Sequence, residues 1–239
     1  MPKVTPTSPF AVRVAALAVC AAVGALLARA VLYIPETEQG LAPLIDANLE
    51  ASGVTNAVTG VLLNFRGYDT LLEIAVLVLA TIGVLSLGVK QTGTWAPLAA
   101  QADPVLSALA RFLAPIMILV SGYLLWAGEH APGGAFQAGS VLGAAGVLLA
   151  LSGYARPVWV TRFALRAVIS VGFIVFLATA VGAMLVGGTL LEYPRDYAKT
   201  LMLVVETLLT VSIGAILVSL FIASASPAEE LRHRSRGEA

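Results

Sequence analysis

The sequence predicts an all-α integral membrane protein with about six transmembrane helices and both termini in the cytoplasm. Of the 239 residues, 59% are hydrophobic and only 12% are charged, and the mean hydropathy is +0.91. An ordinary soluble domain carries about 25% charged residues, so this chain is too apolar to be solvated on all sides. Apolar runs near the length of a bilayer span recur along it. These observations predict a multi-pass protein of the cell's inner membrane.

Six apolar runs are long enough, or nearly so, for a spanning helix of about 20 residues. They cover residues 10–33, 70–87, 106–127, 135–152, 163–186 and 199–223. The first run has an alternative interpretation, because Lys3 and Arg13 precede its apolar stretch from Val14 to Ala28 and Ala28-Arg29-Ala30 loosely resembles a leader cleavage site. Apolar residues continue from there to Ile34, which favours a retained spanning helix.

The distribution of basic residues orients these spans. With the N-terminus inside, 10 of the 14 Lys and Arg residues fall on the inner side. The outer side then holds only Arg29, Arg66, Arg195 and Lys199. Because cytoplasmic loops attract Lys and Arg, we expect both termini inside.

A stretch with Gly93 and Pro97, residues 88–103, has the composition of a linker between two membrane modules. It divides the chain into a two-helix module (1–102) and a four-helix module (103–226), which is followed by a charged cytoplasmic tail (227–239). The longest connection, residues 35–69, carries a short apolar face that we expect to lie on the membrane surface or on a partner.

Glu206 lies deep in the last predicted span, too far from the helix start to cap it. No basic residue in its own span is available to pair with it. A charge at that depth costs a few kcal/mol, and such residues usually face a protein interior where they handle protons or cations. Thr210 and Gly214 follow at four-residue steps and give the helix a small, polar face, so we expect Thr210 to belong to the same ion or proton path as Glu206.

Glu73 is the second carboxylate inside a predicted span, and it has two interpretations. Thr70-Leu71-Leu72-Glu73 fits a capping box, in which the carboxylate serves the start of the helix, although Asp69 offers an alternative cap. The other interpretation is an ion-handling group like Glu206.

Glycines, a proline and polar residues gather between the third and fourth spans, in residues 128–139. Irregular backbone at the edge of a bilayer must be covered by protein or line a wet cavity. His130 can pass protons near neutral pH, or can bind a backbone carbonyl freed by the Pro132-Gly133-Gly134 break. Gly139, Gly143 and Gly146 have the spacing that lets two helices approach closely.

Several classes of function lack the residues they need. Two histidines and one cysteine cannot make a conventional metal centre, and there is no P-loop or CxxC motif. We therefore expect no metal, no cofactor and no redox or nucleotide chemistry in this chain. The zero formal net charge gives no reason to expect nucleic acid as a partner.

Residues 128–139 closely resemble the signature of the B-type subunit of Mrp-type multisubunit cation/proton antiporters (MnhB/MrpB-like). The residues that match in kind are His130, Pro132, Gly133, Gly134, Phe136, Gln137 and Gly139, whereas Ala135 and Ala138 replace glycines. The resemblance covers about residues 103–223. By this resemblance, Glu206 corresponds to a glutamate in the last helix of the members of that family.

The first module resembles the C-terminal part of the large A-type subunit of these antiporters, a module that also occurs as a small separate subunit of membrane-bound hydrogenases (MbhE-like). The resemblance rests on residues 55–59 (Thr-Asn-Ala-Val-Thr) and 65–73 (Phe-Arg-Gly-Tyr-Asp-Thr-Leu-Leu-Glu), where Leu72 replaces a usual glycine.

These resemblances imply a transporter subunit, not an enzyme, in a complex that exchanges Na+ and H+ across the lipid bilayer. The implied partners are small membrane subunits and the large antiporter-like subunit. Glu73 and Glu206 would relay cations or protons, His130 would act as an outer gate, and Pro132, Gly133, Gly134 and Phe136 would shape the loop. A structural scaffold and a membrane-arm subunit of a respiratory complex are the alternatives.

Overall fold

A computed structural model describes residues 9–33, 40–86, 103–153, 162–186 and 188–237, with the side chains of residues 9, 11, 162 and 225–237 excluded. The described residues form helices and connecting turns, with no strand among them. A π-helical turn, Val61–Phe65, separates α3 from α4. The α-helices are α1 (Pro9–Leu32), α2 (Ala42–Ser52), α3 (Ala57–Gly60), α4 (Gly67–Ser86), α5 (Pro104–Ala127), α6 (Ala135–Leu151), α7 (Arg162–Leu185) and α8 (Ala198–Gly237).

Helix α1 belongs to a separate compact unit, residues 1–43. Its span Val12–Leu32 is strongly apolar, and all of its described side chains are exposed. A helix that is apolar all round and exposed fits a bilayer or a partner helix.

In the second unit, residues 44–239, α8 is the central helix. Helices α6 and α7 both pack along it, α5 packs on α6, and α4 packs on α7 and α8. The largest fully buried side chains include Phe176 of α7, Ile74 of α4 and Met202 and Leu209 of α8. The core therefore follows α8, and this arrangement places Glu206 among buried residues.

Small residues allow α6 to approach α8 closely. A β-carbon built on Gly139 would lie 2.8 Å from Cβ of Ile213, and one built on Gly143 would lie 3.0 Å from Cβ of Leu217. Gly146 likewise faces Val218. Side-chain hydroxyls also link helices, since Ser121 of α5 donates to the carbonyl of Ala138 at 2.8 Å. Such close packing is typical of helix pairs in membranes.

The predicted all-α membrane fold is confirmed, and the lengths of individual helices refine it. Among the described residues, five helices are long and apolar enough to cross a membrane, namely α1, α4, α5, α7 and α8. The predicted fourth span is α6, which has 17 residues and lies at the lower limit for a span. The orientation of the termini stays a prediction.

Two boundaries differ from those expected. Helix α4 begins at Gly67 and not at Thr70, because the chain enters it directly from the π-helical turn. The backbone of α8 stays helical to Gly237, so the predicted charged tail starts as a continuation of the last helix. The predicted linker lies almost entirely in residues 87–102, outside the described residues.

Candidate ion site at the start of helix α6

The loop between α5 and α6, residues 128–134, folds back on the end of α5. The N–H groups of Gly128 and Gly134 both donate to the carbonyl of Leu124, at 3.2 and 2.9 Å. The N–H of Ala131 donates to the carbonyl of Ala127 at 2.8 Å. The carbonyls at the end of α5 therefore find partners within the loop, as they must at the edge of a bilayer.

Gly134 turns the chain into α6 with φ +106° and ψ −173°, a conformation that is essentially restricted to glycine. Its backbone lies against that of Gly128, since a β-carbon on Gly128 would be 2.6 Å from the nitrogen of Gly134. This contact couples the first residue of the loop to the last.

Glu206 of α8 faces the start of α6. Glu206 is 8% exposed, and the backbone N–H of Ala135 points toward its carboxylate. The N-terminus of a helix carries free N–H groups and a partial positive charge, so it favours a carboxylate. A β-carbon on Gly134 would lie 2.9 Å from Oε1 of Glu206, so this contact depends on the absence of a side chain at residue 134.

Beside this contact is a cavity of about 30 Å³. A cavity that holds one water needs roughly 10–15 Å³ on the same measure, so there is room for a water molecule or a small cation. The polar side chains that line it are Thr59, Thr70, Gln137 and Glu206, and the apolar wall includes Leu63, Phe136 and Leu209. Carboxylate, amide and hydroxyl oxygens are the ligands that hard cations prefer.

Residues of both predicted modules line the cavity. Each of these modules is also similar to a known protein family. Residues 105–226, just over half of the chain, match the family described as a domain related to the MnhB subunit of Na+/H+ antiporters. The chain belongs to this MnhB-related family. Residues 11–93 match the MbhE family, described as the E subunit of MBH. Both resemblances predicted from the sequence are thereby confirmed.

Among curated proteins, the chain is 28% identical over 201 residues to a probable K+/H+ antiporter A/B subunit of Rhizobium meliloti (strain 1021). The match covers 73% of this chain and 20% of the relative, so the chain spans about a fifth of that relative's length.

Two solved structures share the fold. A chain of the Mrp complex from Dietzia sp. DQ12-45-1b is 26% identical, with a TM-score of 0.65, and the match covers 93% of this chain and 27% of that one. A chain of the membrane-bound sulfane sulfur reductase, an archaeal respiratory membrane complex, has a TM-score of 0.68 at 23% identity. That match covers 89% of this chain and 97% of the other.

The cavity brings together most of the predicted loop residues of the MnhB-related region. Gly133, Gly134, Phe136 and Gln137 line it with Glu206, whereas Pro132 is exposed in the loop. Gly139 lies one turn further along α6, against α8.

Thr210 is buried but does not line the cavity. Its hydroxyl donates to the main-chain carbonyl of Glu206 at 2.8 Å, within α8. This bond occupies the only hydrogen that the hydroxyl can donate. Thr210 can therefore support the turn of α8 that carries Glu206, and it does not face the cavity directly.

His130 lies outside the cavity, in a small charged cluster. Its Nδ1 is 3.7 Å from Oε1 of Glu129, and its ring stands edge-on to Trp126 with centroids 5.1 Å apart. The same Glu129 oxygen forms an ion pair with Nζ of Lys199. The expected bond from His130 to a freed loop carbonyl is not the arrangement found, because residues 55–59 bind those carbonyls instead.

Glu73 does not join the site. It is exposed on α4, whereas Thr70, Leu71 and Ile74 of the same helix are buried. The capping-box interpretation is wrong, because α4 starts at Gly67 and the Thr70 hydroxyl donates to the carbonyl of Leu62 at 2.6 Å. Thr70 thus binds a carbonyl of the π-helical turn, and Glu73 has no helix start to cap.

Sequence reasoning did not single out Asn56, Thr59 or Lys199 as parts of this region, nor Tyr193, which is buried and senses the charge of Glu206. Asn56 and Thr59 stood only within a stretch that resembled a known module. Their polarity between apolar residues was the available signal, but their partners are main-chain carbonyls about 70 residues away. Among the described residues, no group of three or more His, Cys, Asp or Glu is arranged to hold a metal ion.

Proposed function

We propose that this chain is a membrane subunit of a multisubunit monovalent cation/proton antiporter. In this proposal Glu206 alternately takes up a proton or a cation. The observation that carries it is the buried Glu206 carboxylate, which lies at the start of α6 beside a polar cavity. No Lys or Arg of the described part forms an ion pair with it.

The chemistry follows from the absence of a basic partner for Glu206 among the described residues. A bare carboxylate away from water is costly, and the nearby backbone N–H of Ala135 offsets only part of that cost. A proton neutralises the carboxylate, and a cation in the cavity compensates its charge with help from Gln137. Because the same oxygens serve both ions, binding of one ion opposes binding of the other. Mutual exclusion at one site is the minimum requirement for exchange.

The comparisons support a transporter component over an enzyme. The MnhB-related family is named for a subunit of Na+/H+ antiporters, and the Rhizobium relative is described as a subunit of a K+/H+ antiporter. We therefore propose Na+ or K+ as the cation, exchanged for H+. The matches at residues 11–93 and 105–226 support two modules in one chain, joined near residue 102.

We propose that further subunits complete the path, including small membrane subunits and a large antiporter-like subunit. Exposed faces within the spans support this. Glu73 lies on an exposed face of α4. A carboxylate on a spanning helix needs a polar partner, so we propose that Glu73 faces a neighbouring protein of the complex and acts as a second relay group. His130, beside Glu129, would then gate the outer approach.

The test is Glu206→Gln in the full complex, with Glu50→Gln as the matched control on the exposed helix α2. Inverted membrane vesicles would be energised, and dissipation of the pH gradient by added Na+ or K+ would be followed with a fluorescent dye. Blue-native gels would measure assembly in the same membranes. We expect Glu206→Gln to abolish exchange while assembly stays intact, and Glu50→Gln to leave both unchanged.

The scaffold alternative gives a different result. If Glu206 only holds helices or subunits together, the Gln variant reduces the amount of assembled complex, and whatever assembles exchanges ions normally. Normal exchange with normal assembly would show that Glu206 neither handles ions nor holds the complex together.

A further inference from the structure

Four hydrogen bonds connect residues 55–59 to the loop that begins α6. The side-chain amide of Asn56 donates to the carbonyls of Gly128 and Ala131, both at 2.9 Å. The hydroxyl of Thr59 donates to the same Gly128 carbonyl at 2.5 Å, and that of Thr55 donates to the carbonyl of Glu129 at 3.0 Å. We call these three residues, Thr55, Asn56 and Thr59, the carbonyl clamp.

The clamp is more than a set of surface contacts. Asn56 uses both amide hydrogens on the loop, and its side-chain oxygen accepts from the N–H of Val58 at 3.0 Å, which caps α3. Thr59 is buried. The Gly128 carbonyl accepts two bonds and thus uses both of its lone pairs. Helix α3 is therefore fixed to the loop by side chains, and most of the hydrogen-bonding groups of these side chains have partners.

The clamp reaches Glu206 through the backbone. Gly128 is packed against Gly134, with no space for even a β-carbon between them. Gly134 lies against Glu206, since a β-carbon on Gly134 would be 2.9 Å from Oε1 of the carboxylate, and it sets the direction of the Ala135 N–H that points toward this group. We therefore expect a shift of the Gly128 carbonyl to move the backbone that lies against the Glu206 carboxylate. Thr59 also lines the cavity itself, so the clamp and the cavity share a side chain.

We propose that Thr55, Asn56 and Thr59 are positioning residues for the Glu206 site. They belong to the region that matches the MbhE family. In this proposal they fix the geometry of an ion site in the region that matches the MnhB-related family. This inference rests on the proposed function of Glu206. It explains why a polar stretch at residues 55–59 precedes an apolar helix.

The sharpest variant is Asn56→Asp. Aspartate keeps the oxygen that caps α3, since Asp and Asn are equally good caps. It replaces both amide donors with an acceptor that faces two carbonyl oxygens. The matched control is Asn48→Asp on exposed α2, where the amide of Asn48 donates to the Leu44 carbonyl at 2.7 Å.

Two measurements on the complete complex in vesicles separate positioning from simple structural damage. The first is the apparent KM for Na+ or K+ against the maximal rate. The second is the rate at which a hydrophobic carbodiimide labels Glu206, determined by mass spectrometry relative to Glu73 in the same molecule. We expect Asn56→Asp, which removes both hydrogen bonds from the amide to the loop, to raise the apparent KM about tenfold and to change the labelling ratio. Asn48→Asp should alter neither.

Thr59→Val and Thr59→Ser provide a second test if Asn56→Asp prevents assembly. Valine removes the hydroxyl at nearly constant shape, and serine restores it. Thr179→Val on α7 is the control, because its hydroxyl bonds only within its own helix, to the Val175 carbonyl. We expect Thr59→Val to raise the KM, Thr59→Ser to recover it and Thr179→Val to have no effect.

An unchanged KM and labelling ratio in assembled Asn56→Asp or Thr59→Val complexes would overturn the clamp. If Glu206→Gln abolishes exchange in the same experiments, the proposed function stands and only the clamp fails. If Glu206→Gln exchanges ions normally, the proposed function fails, and the labelling ratio alone decides whether the clamp positions the carboxylate.

Discussion

Gly134 and Glu206 meet where the start of α6 faces an early turn of α8, and a β-carbon on Gly134 would lie 2.9 Å from Oε1 of the carboxylate. Residue 134 must be glycine because of its backbone angles. Glu206 carries a carboxylate that is costly to bury without a partner. Both constraints act at one point, so substitutions here test the site directly.

Gly134→Ala should damage the site in two ways. The φ of +106° strains any side-chain-bearing residue by about 1–3 kcal/mol, and the new methyl group displaces the Glu206 carboxylate. We expect a lower melting temperature of the purified complex and a higher apparent KM for the cation. Gly182→Ala on α7, where nothing lies within 4 Å, is the control. Wild-type cation affinity in Gly134→Ala would show that the loop does not set the position of Glu206.

Gly139→Ala and Gly122→Ala should change stability in opposite directions. Both residues lie inside helices, where Ala is intrinsically favoured over Gly by about 1 kcal/mol. At Gly122 the space is open, so this gain should be realised. At Gly139 the new methyl group would be 2.8 Å from Cβ of Ile213, and forcing α6 from α8 should cost about 1–3 kcal/mol. Thermal unfolding of the detergent-solubilised complex measures both. A stabilised Gly139→Ala complex would contradict the observed α6–α8 packing.

Long apolar runs made most of the fold predictable. Each predicted span corresponds to a helix because a bilayer leaves the backbone no other way to pair its polar groups in an open segment. The start of α4 was missed by three residues because Thr70 resembles a cap in sequence. In the structure its hydroxyl serves the π-helical turn at Leu62, and periodicity gives no sign of such a turn.

Sequence reasoning could predict only those parts of the candidate site in which an ionisable side chain lies within an apolar run. Glu206 is identifiable because a carboxylate in an apolar run is costly wherever it points. Glu73 has the same signal, yet it lies on an exposed face, and sequence alone does not distinguish the two faces. Asn56 and Thr59 were missed because their acceptors are main-chain carbonyls, which every residue carries and no motif records.

The ion pair between Lys199 and Glu129 should contribute little to stability. The Lys199 side chain is 65% exposed and that of Glu129 is 22% exposed, so water and salt screen the pair. We expect a double-mutant cycle of Lys199→Met and Glu129→Gln to give a coupling of at most about 1 kcal/mol, and added salt to reduce it. A larger coupling that salt does not reduce would indicate that the pair is buried by a neighbouring protein of the complex.

Tyr193→Phe should leave the protein as stable as wild type at neutral pH, or make it slightly more stable. Tyr193 is 5% exposed, and its hydroxyl has no hydrogen-bond partner among the described residues. Removing an unsatisfied buried hydroxyl relieves a desolvation cost, so we expect a gain of up to about 1 kcal/mol. Tyr68→Phe, at a tyrosine that is 55% exposed, is the control. A loss of 1 kcal/mol or more in Tyr193→Phe would show that the hydroxyl is bound by a water, an ion or a partner protein.

The same tyrosine should make the folded state sensitive to alkali. Burial raises the pKa of Tyr193, and the negative charge of Glu206 raises it further. The unfolded chain releases this proton near pH 10, whereas the folded chain keeps it to higher pH. The folded state then binds more protons than the unfolded state, so stability falls as the pH rises above about 10. Tyr193→Phe should flatten this fall in pH-dependent melting curves, and Glu206→Gln should flatten it partly by lowering the pKa of Tyr193. Alkaline curves that are unchanged in Tyr193→Phe would show that the ring titrates normally and is not buried beside the Glu206 charge.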